Sequence, residues 1–190
     1  MKVKRGNYSL CWDFIKESKN QILFISLVFL VFIVIGFAFP VFFLDYMRQM
    51  LQELYFKTAG MNFIQLFVFI LQNNITTSLI GMFLGIIFGI LPILLIAFNG
   101  YVLGFVMTKS AEIVGPLELL KLFPHGVFEI PAVLVSLGMG LKIGMFIFEK
   151  KKKKAFLHSL ENSIRVFLFV VIPLLVIAAL IETWLIFAFR

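Results

Sequence analysis

Long apolar runs without charged side chains constrain this chain more than any other feature. Residues 21–44 contain no Asp, Glu, Lys or Arg. As a helix rising about 1.5 Å per residue, such a run exceeds the roughly 30 Å hydrocarbon core of a bilayer. The whole chain is 62% hydrophobic and only 14% charged, unlike a soluble domain. We therefore predict an all-α, polytopic membrane helix bundle that forms one integral membrane domain.

The number of crossings follows from where the basic residues lie. Residues 1–20 and 149–165 together hold the whole net charge of +7. Because excess Lys and Arg mark the cytoplasmic side, an even number of spans must separate these two segments. Residues 61–108 are uncharged and long enough for two helices. Five transmembrane helices are therefore predicted, with the N-terminus cytoplasmic and the C-terminus outside, at about residues 21–44, 63–90, 92–112, 126–148 and 164–189.

Prolines predict where these helices break. Pro92 predicts the turn between the second and third spans, and residues 99–100 are the alternative position. Pro124 suits the first turn of the fourth helix, because its missing N–H has no helical partner there. Pro131 removes an amide donor inside that helix. Kinked or broken helices are therefore expected near Pro92 and Pro131.

Two short segments have the pattern of amphipathic helices that lie on a membrane surface. Residues 45–60 mix Met, Leu and Tyr with four charged side chains, and residues 116–123 alternate leucines with Glu118 and Lys121. By the predicted topology, both segments lie at the outer interface.

Glycines recur at four-residue spacing in three of the predicted spans. Such spacing places them on one helix face, where they let two backbones approach closely. Packing within one subunit, contacts of a homo-oligomer, and close approach to a permeating solute all fit this pattern. The predicted packing glycines are Gly81, Gly85, Gly89, Gly100, Gly104, Gly140 and Gly144.

Polar side chains at membrane depth are the candidate functional residues, because burying them in hydrocarbon is costly. His125 and Glu129 are four residues apart and share a helix face. Glu129 could lie at the positive end of the helix dipole, bond Asn99 or backbone near Pro131, or bind a proton or ion. The predicted polar cluster consists of His125, Glu129, Asn99, Asn74 and Asn73.

Other function classes have little support in the sequence. Lys142 is expected to reach towards the cytoplasmic side and Glu182 towards the outer headgroups. No nucleophile–base–orienter set is recognisable, and His125 with Glu129 offers too few ligands for a metal. We therefore expect no catalytic residues, no metal and no cofactor. The basic run Lys150–Lys154 is assigned to anionic lipid headgroups and not to nucleic acid.

One segment resembles a known family. The sequence Pro-His-Gly-Val-Phe-Glu-Ile-Pro-Ala at residues 124–132 is similar to the most characteristic segment of the stage II sporulation protein M family. Residues 136–144 and the Asn and Gly positions of residues 73–104 fit as well, so the resemblance covers about residues 60–190.

The resemblance implies a five-span protein of the cytoplasmic membrane. In endospore-forming bacteria such proteins join two peptidoglycan-degrading partners and act as a scaffold. For this chain it implies a non-enzymatic scaffold or assembly factor, with membrane or envelope protein partners and homo-oligomers as candidates. The alternative is an oligomeric channel or transporter with a polar site around His125 and Glu129. An intramembrane enzyme that uses these two residues as an acid–base pair is a third hypothesis.

Overall fold

A computed structural model describes residues 6–41, 44–114 and 123–188, and these residues are helical nearly throughout. The first half contains α1 (Asn7–Glu17), α2 (Lys19–Ala38), α3 (Leu44–Thr58), α4 (Phe63–Leu84) and α5 (Ile90–Val114). The second half contains α6 (Phe123–Gly144), α7 (Lys152–Val166) and α8 (Ile172–Ala188). A 3₁₀ turn at Met145–Phe148 follows α6, and a π-helical turn at Phe167–Val171 joins α7 to α8.

Within the described residues, five helical segments are long and apolar enough to cross a membrane, which confirms the predicted number of spans. They are Lys19–Ala38, Phe63–Leu84, Ile90–Lys109, Gly126–Phe148 and Lys152–Ala188. The surface segment predicted at residues 45–60 is α3. The second one, predicted at residues 116–123, falls almost wholly outside the described residues.

The second and third spans are separated by a turn at residues 85–89, a few residues before Pro92. Phe88 and Gly89 adopt positive φ values of 54° and 71°, which lets the chain reverse within one helical turn. Pro92 lies in the first turn of α5, where a proline suits a helix start. Pro131 lies inside α6, which continues through it, and a kink there remains a prediction.

The glycines pack helices together within the chain. A Cβ on Gly100 would lie 2.7 Å from the carbonyl oxygen of Phe29, and Gly104 faces Ile33, so that α5 packs closely on α2. Gly85 and Gly140 bring α4 and α6 into direct backbone contact. Of the three interpretations of the glycine spacing, packing within one subunit accounts for these positions.

The end of α2 is held by α5. Pro40 cannot continue the helix, so the last carbonyl groups of α2 lack helical partners. The Tyr101 hydroxyl donates to the Phe39 carbonyl at 3.1 Å, and the Thr108 hydroxyl donates to the Phe37 carbonyl at 3.0 Å. These bonds fix how α2 and α5 lie against each other.

The last span is longer than predicted because the basic segment before it is also helical. Residues 152–188 form one 37-residue helical segment, about 55 Å long and far longer than a bilayer core is thick. Pro173 would clash with the carbonyl four residues earlier in a regular helix. The wider π-helical turn at Phe167–Val171 lies at that position and accommodates the proline.

The bundle has two different ends. The "basic end" contains Glu17, the turn at residues 85–89 and Lys150–Lys154. The "cavity end" contains α3, the start of α4 and the start of α6. The charge rule predicts that the basic end faces the cytoplasm.

Candidate functional site

A cavity of about 720 Å³ opens at the cavity end of the bundle. Residues of α4, α5, α6 and α8 form most of its wall, Phe29 of α2 contributes from one side, and α3 lies over it through Leu54, Tyr55 and Thr58. The cavity exists because α4 and α5, which are joined at the turn of residues 85–89, contact each other little along the rest of their length. Its volume lies in the range of sites for small molecules.

Four residues of the predicted polar cluster line this cavity. Asn73 and Asn74 come from α4, Asn99 from α5 and Glu129 from α6. Residues separated by up to 56 positions in the sequence are thus brought to one space. His125 lies in the first turn of α6, but its side chain falls outside the described residues.

The contacts of Glu129 bear on the alternatives for this residue. Asn99 donates its side-chain amide to the Leu95 carbonyl of its own helix at 3.0 Å, and not to Glu129. Asn73 donates to Asn74 at 3.4 Å. Among the described residues, Glu129 has no hydrogen bond or ion pair within the protein. No described side chain therefore competes for its carboxyl group with a group that enters the cavity.

Glu182 of α8 is a cavity residue that sequence reasoning missed. The sequence placed it near the outer headgroups, but the structure places it on the cavity wall together with Glu129. The two carboxyl groups are close enough to interact electrostatically. The rotation of α8 about its axis decides this placement, and the apolar residues on all sides of that helix do not indicate which side faces the bundle.

Ser78 lies at the inner end of the cavity. It is 1% exposed, and its hydroxyl oxygen has no hydrogen-bond partner among the described residues. Its carbonyl group accepts a hydrogen bond of 2.8 Å from the Ser136 hydroxyl, which ties α4 to α6 at this depth. Polar groups therefore line the cavity from Glu182 down to Ser78.

Beyond Ser78 the bundle is closed by the glycine contacts. A Cβ on Gly81 would meet the Leu137 side chain, and Gly144 contacts the backbone of Gly85 and Gly89. The cavity ends before these positions. Among the described residues, the bundle is thus open at the cavity end and tightly packed at the basic end.

A separate ionic cluster lies at the basic end. Lys142 Nζ is 3.2 Å from Glu17 Oε1, and His158 Nε2 is 3.3 Å from Glu17 Oε2. Partial burial raises the pKa of the Glu17 carboxyl, but the hydrogen bonds and charges of His158 and Lys142 outweigh this effect and leave its pKa below the ordinary value. Lys142 thus finds its partner at the basic end, the side towards which the sequence predicted that it reaches.

Metal ligands do not cluster in the part of the chain that the structure describes. No three His, Cys, Asp or Glu side chains there come close enough to hold an ion. The chemistry available at the cavity is that of two carboxyl groups, three amides and hydroxyl groups such as that of Thr77. These groups can accept and donate hydrogen bonds and complement a positive charge.

Comparison with known proteins places the chain in a family. Residues 25–185 match the family described as stage II sporulation protein M. Two relatives are uncharacterized proteins of the archaeon Methanocaldococcus jannaschii. One is 31% identical over 122 residues, which are 61% of this chain and 68% of the relative. The other is 27% identical over 182 residues, which are 87% of this chain and 81% of the relative. No solved structure matches. This membrane protein therefore belongs to the stage II sporulation protein M family.

Proposed function

We propose that the protein is a non-enzymatic membrane scaffold or assembly factor that holds partner proteins at the cavity end of its bundle. The observation that carries this proposal is the exposure of aromatic side chains on α3. Among the residues that the structure describes, this amphipathic helix makes few contacts with the other helices. It leaves aromatic side chains exposed, with Tyr55 68% and Phe56 77% accessible. A surface helix with free aromatic residues has the chemistry that protein interfaces favour.

The setting of α3 supports the same role. Its Met50 packs against Tyr101 and Phe105 of α5, so one side of the helix is anchored to the bundle. The scaffold role is also what the family resemblance implies. In this proposal the partners are membrane or envelope proteins, the membrane is the cytoplasmic membrane, and the exposed lysines at Lys150–Lys154 contact anionic headgroups.

The test is site-specific photo-cross-linking in native membranes. A photoreactive amino acid is placed at Tyr46 or at Phe56 of α3, and at Leu30 of α2 as a lipid-facing control, since all three side chains are exposed. We expect one and the same partner to cross-link from both α3 positions and not from Leu30. Phe56→Ala should abolish co-purification of that partner while the bundle stays monodisperse. Absence of a cross-linked partner from both positions would contradict the scaffold role.

The cavity favours a second candidate function, an oligomeric channel or transporter. Its polar groups lie at membrane depth between helices, where transporters hold their substrates. Passage through the whole bundle would require α4 to separate from α6 at Gly85 and Gly140, because these backbones are in contact. Proteoliposomes would show flux of protons, ions or metabolites that Glu129→Gln reduces. An absence of flux for all of them would contradict this function.

A further inference from the structure

We propose that the cavity binds an amphipathic organic cation. In this assignment a protonated amine lies between Glu129 and Glu182, and its apolar body lies along the walls formed by α4, α5 and α6. The inference goes beyond the scaffold role and does not depend on it, because it rests on the cavity and not on α3.

The charge of the ligand follows from the two carboxyl groups. Glu129 and Glu182 lie in a poorly hydrated wall, where a carboxylate without a positive partner is costly. Among the described residues, the cavity lining contains no Lys, Arg or His. Neither glutamate forms an ion pair with any described side chain. A cation that enters the cavity would supply the missing charge to both.

The apolar part of the ligand follows from the remaining walls. Most of the lining is aliphatic or aromatic, and the representative side chains Phe29, Ile70, Ile96, Leu103 and Val133 surround the space. A bare inorganic ion would leave nearly all of the 720 Å³ unfilled. A chain of methylene groups would fill it, and removing these groups from water would stabilise the bound state.

A second and independent observation is an unpaired hydroxyl group at the inner end of the cavity. The hydroxyl of Ser78 is buried without a partner, and unpaired buried hydroxyls are uncommon because each one forfeits a hydrogen bond. Ser78 lies beside Ser136, seven residues along α6 from Glu129 and therefore about 10 Å deeper. Thr77 and Asn74 lie on the same wall between the two levels. A ligand with a hydrogen-bonding group about 10 Å from its amine would satisfy the Ser78 hydroxyl once that side chain rotates towards the cavity.

Two sources could supply this chemistry. One is the amine headgroup of a membrane lipid, which would enter from the bilayer. The other is a soluble alkylamine, which would enter from the aqueous side at α3. Both present a protonated amine on an apolar body, so the same residues recognise them.

The experiment compares a cationic probe with a neutral one of the same shape. Purified full-length protein is titrated with dodecylamine and with dodecanol, and the shift of the thermal midpoint and the dissociation constant are measured. Retained lipids are identified in parallel by native mass spectrometry after purification from membranes that contain phosphatidylethanolamine. Retention of this lipid identifies the bilayer source, and binding of dodecylamine alone identifies the soluble source.

Matched variants locate the binding. Glu129→Gln and Glu182→Gln remove the charges with almost no change of shape, and Glu149→Gln removes an exposed carboxylate at the basic end as a control. We expect dodecylamine to bind the wild type and Glu149→Gln equally, and each cavity variant at least tenfold more weakly. Ser78→Ala, which removes only an unpaired hydroxyl, should leave the fold intact. It should weaken 7-amino-1-heptanol, whose extended chain matches the spacing between Glu129 and Ser78, more than it weakens heptylamine.

Several outcomes would overturn the proposal. Equal affinity for dodecylamine and dodecanol would show that the charge is not recognised. Unchanged affinity in both monodisperse glutamine variants would show that the amine lies elsewhere. Failure of both the alkylamine and the amine lipid to bind would exclude this ligand class. None of these outcomes bears on cross-linking through α3, so the two proposals fail separately.

Discussion

Replacing Gly140 by alanine tests the close contact between α4 and α6. A Cβ at this position would lie 2.9 Å from the carbonyl oxygens of Gly81 and Met82 and 3.0 Å from the Met82 Cα. All three are backbone atoms, which cannot rotate away as a side chain can. Ordinary contact would require about 0.5 Å more room, so the two helices must move apart along this seam.

The expected magnitude combines two opposing effects. Overpacking of a filled interior costs about 1–3 kcal/mol, whereas alanine in place of glycine inside a helix gains about 1 kcal/mol. Gly126→Ala is the matched control on the same helix, because among the described residues its Cβ would meet just the Ile130 side chain, at 3.4 Å. The steric cost alone should therefore separate the two variants by about 1–3 kcal/mol.

The assay is thermal unfolding of the two variants and the wild type in one detergent, followed by size-exclusion profiles. By the scaling for a chain of this size, the midpoint of Gly140→Ala should lie about 2–12 °C below that of Gly126→Ala. Gly140→Leu, with three more carbon atoms against the same backbone, should fall further or fail to assemble. Equal midpoints for the two alanine variants would refute the close α4–α6 contact.

The remaining predictions concern the basic end and the orientation of the chain. Burial raises the pKa of the Cys11 thiol, so maleimide should leave native protein unlabelled and react only after unfolding. The native chain can then serve as background for cysteines placed at Gln52 and Lys151. In intact cells an impermeant maleimide should label the cysteine at position 52 and not that at position 151, and the reverse result would contradict the orientation. Because the pKa of Glu17 is lowered by the fold, its contribution is present above the ordinary value of 4.5 and is lost as the pH falls below it. Because Glu17 is nearly half exposed, Glu17→Gln should cost at most about 1 kcal/mol at pH 7, and this cost should shrink as the pH falls below 4.5, as measured by thermal midpoints. A cost that does not change with pH would contradict the ion pair.

The sequence was informative about spans because length and the absence of charge decide what can cross a bilayer. The sequence was less informative about where the helices end. The turn between the second and third spans was expected near Pro92, but it lies at residues 85–89, where Gly89 tolerates the positive φ. Proline suits a helix start as well as a helix end, so it indicated the neighbourhood of the turn and not its position. The helices α1 and α7 were not predicted, because their charged residues suggested solvated segments.

Helix pairing could not be predicted from spacing. Four-residue spacing of glycines indicates that a helix has a face suited to close packing, but it does not identify the helix that packs against this face. The structure pairs Gly85 with Gly140, and Gly100 with Phe29. Asn74, Asn99 and Glu129 line one cavity because the helices pair in this way. Their proximity therefore could not be predicted from the sequence either. Glu182 was missed for the same reason, since nothing in α8 reveals which side faces the bundle.

The contrast between the two ends of the bundle bears on how the protein acts. Binding at the cavity end is expected to need no separation of packed helices, because Glu129 and Glu182 already line the cavity there. Passage of a solute would need the backbone contact between Gly85 and Gly140 to open and close repeatedly. Packed helices switch between discrete arrangements, so all the contacts along this seam would have to break in one step. A substitution that loosens this seam should therefore leave ligand binding nearly unchanged while it alters any flux. An unchanged flux in a variant whose ligand binding is also unchanged would show that this seam does not gate a passage.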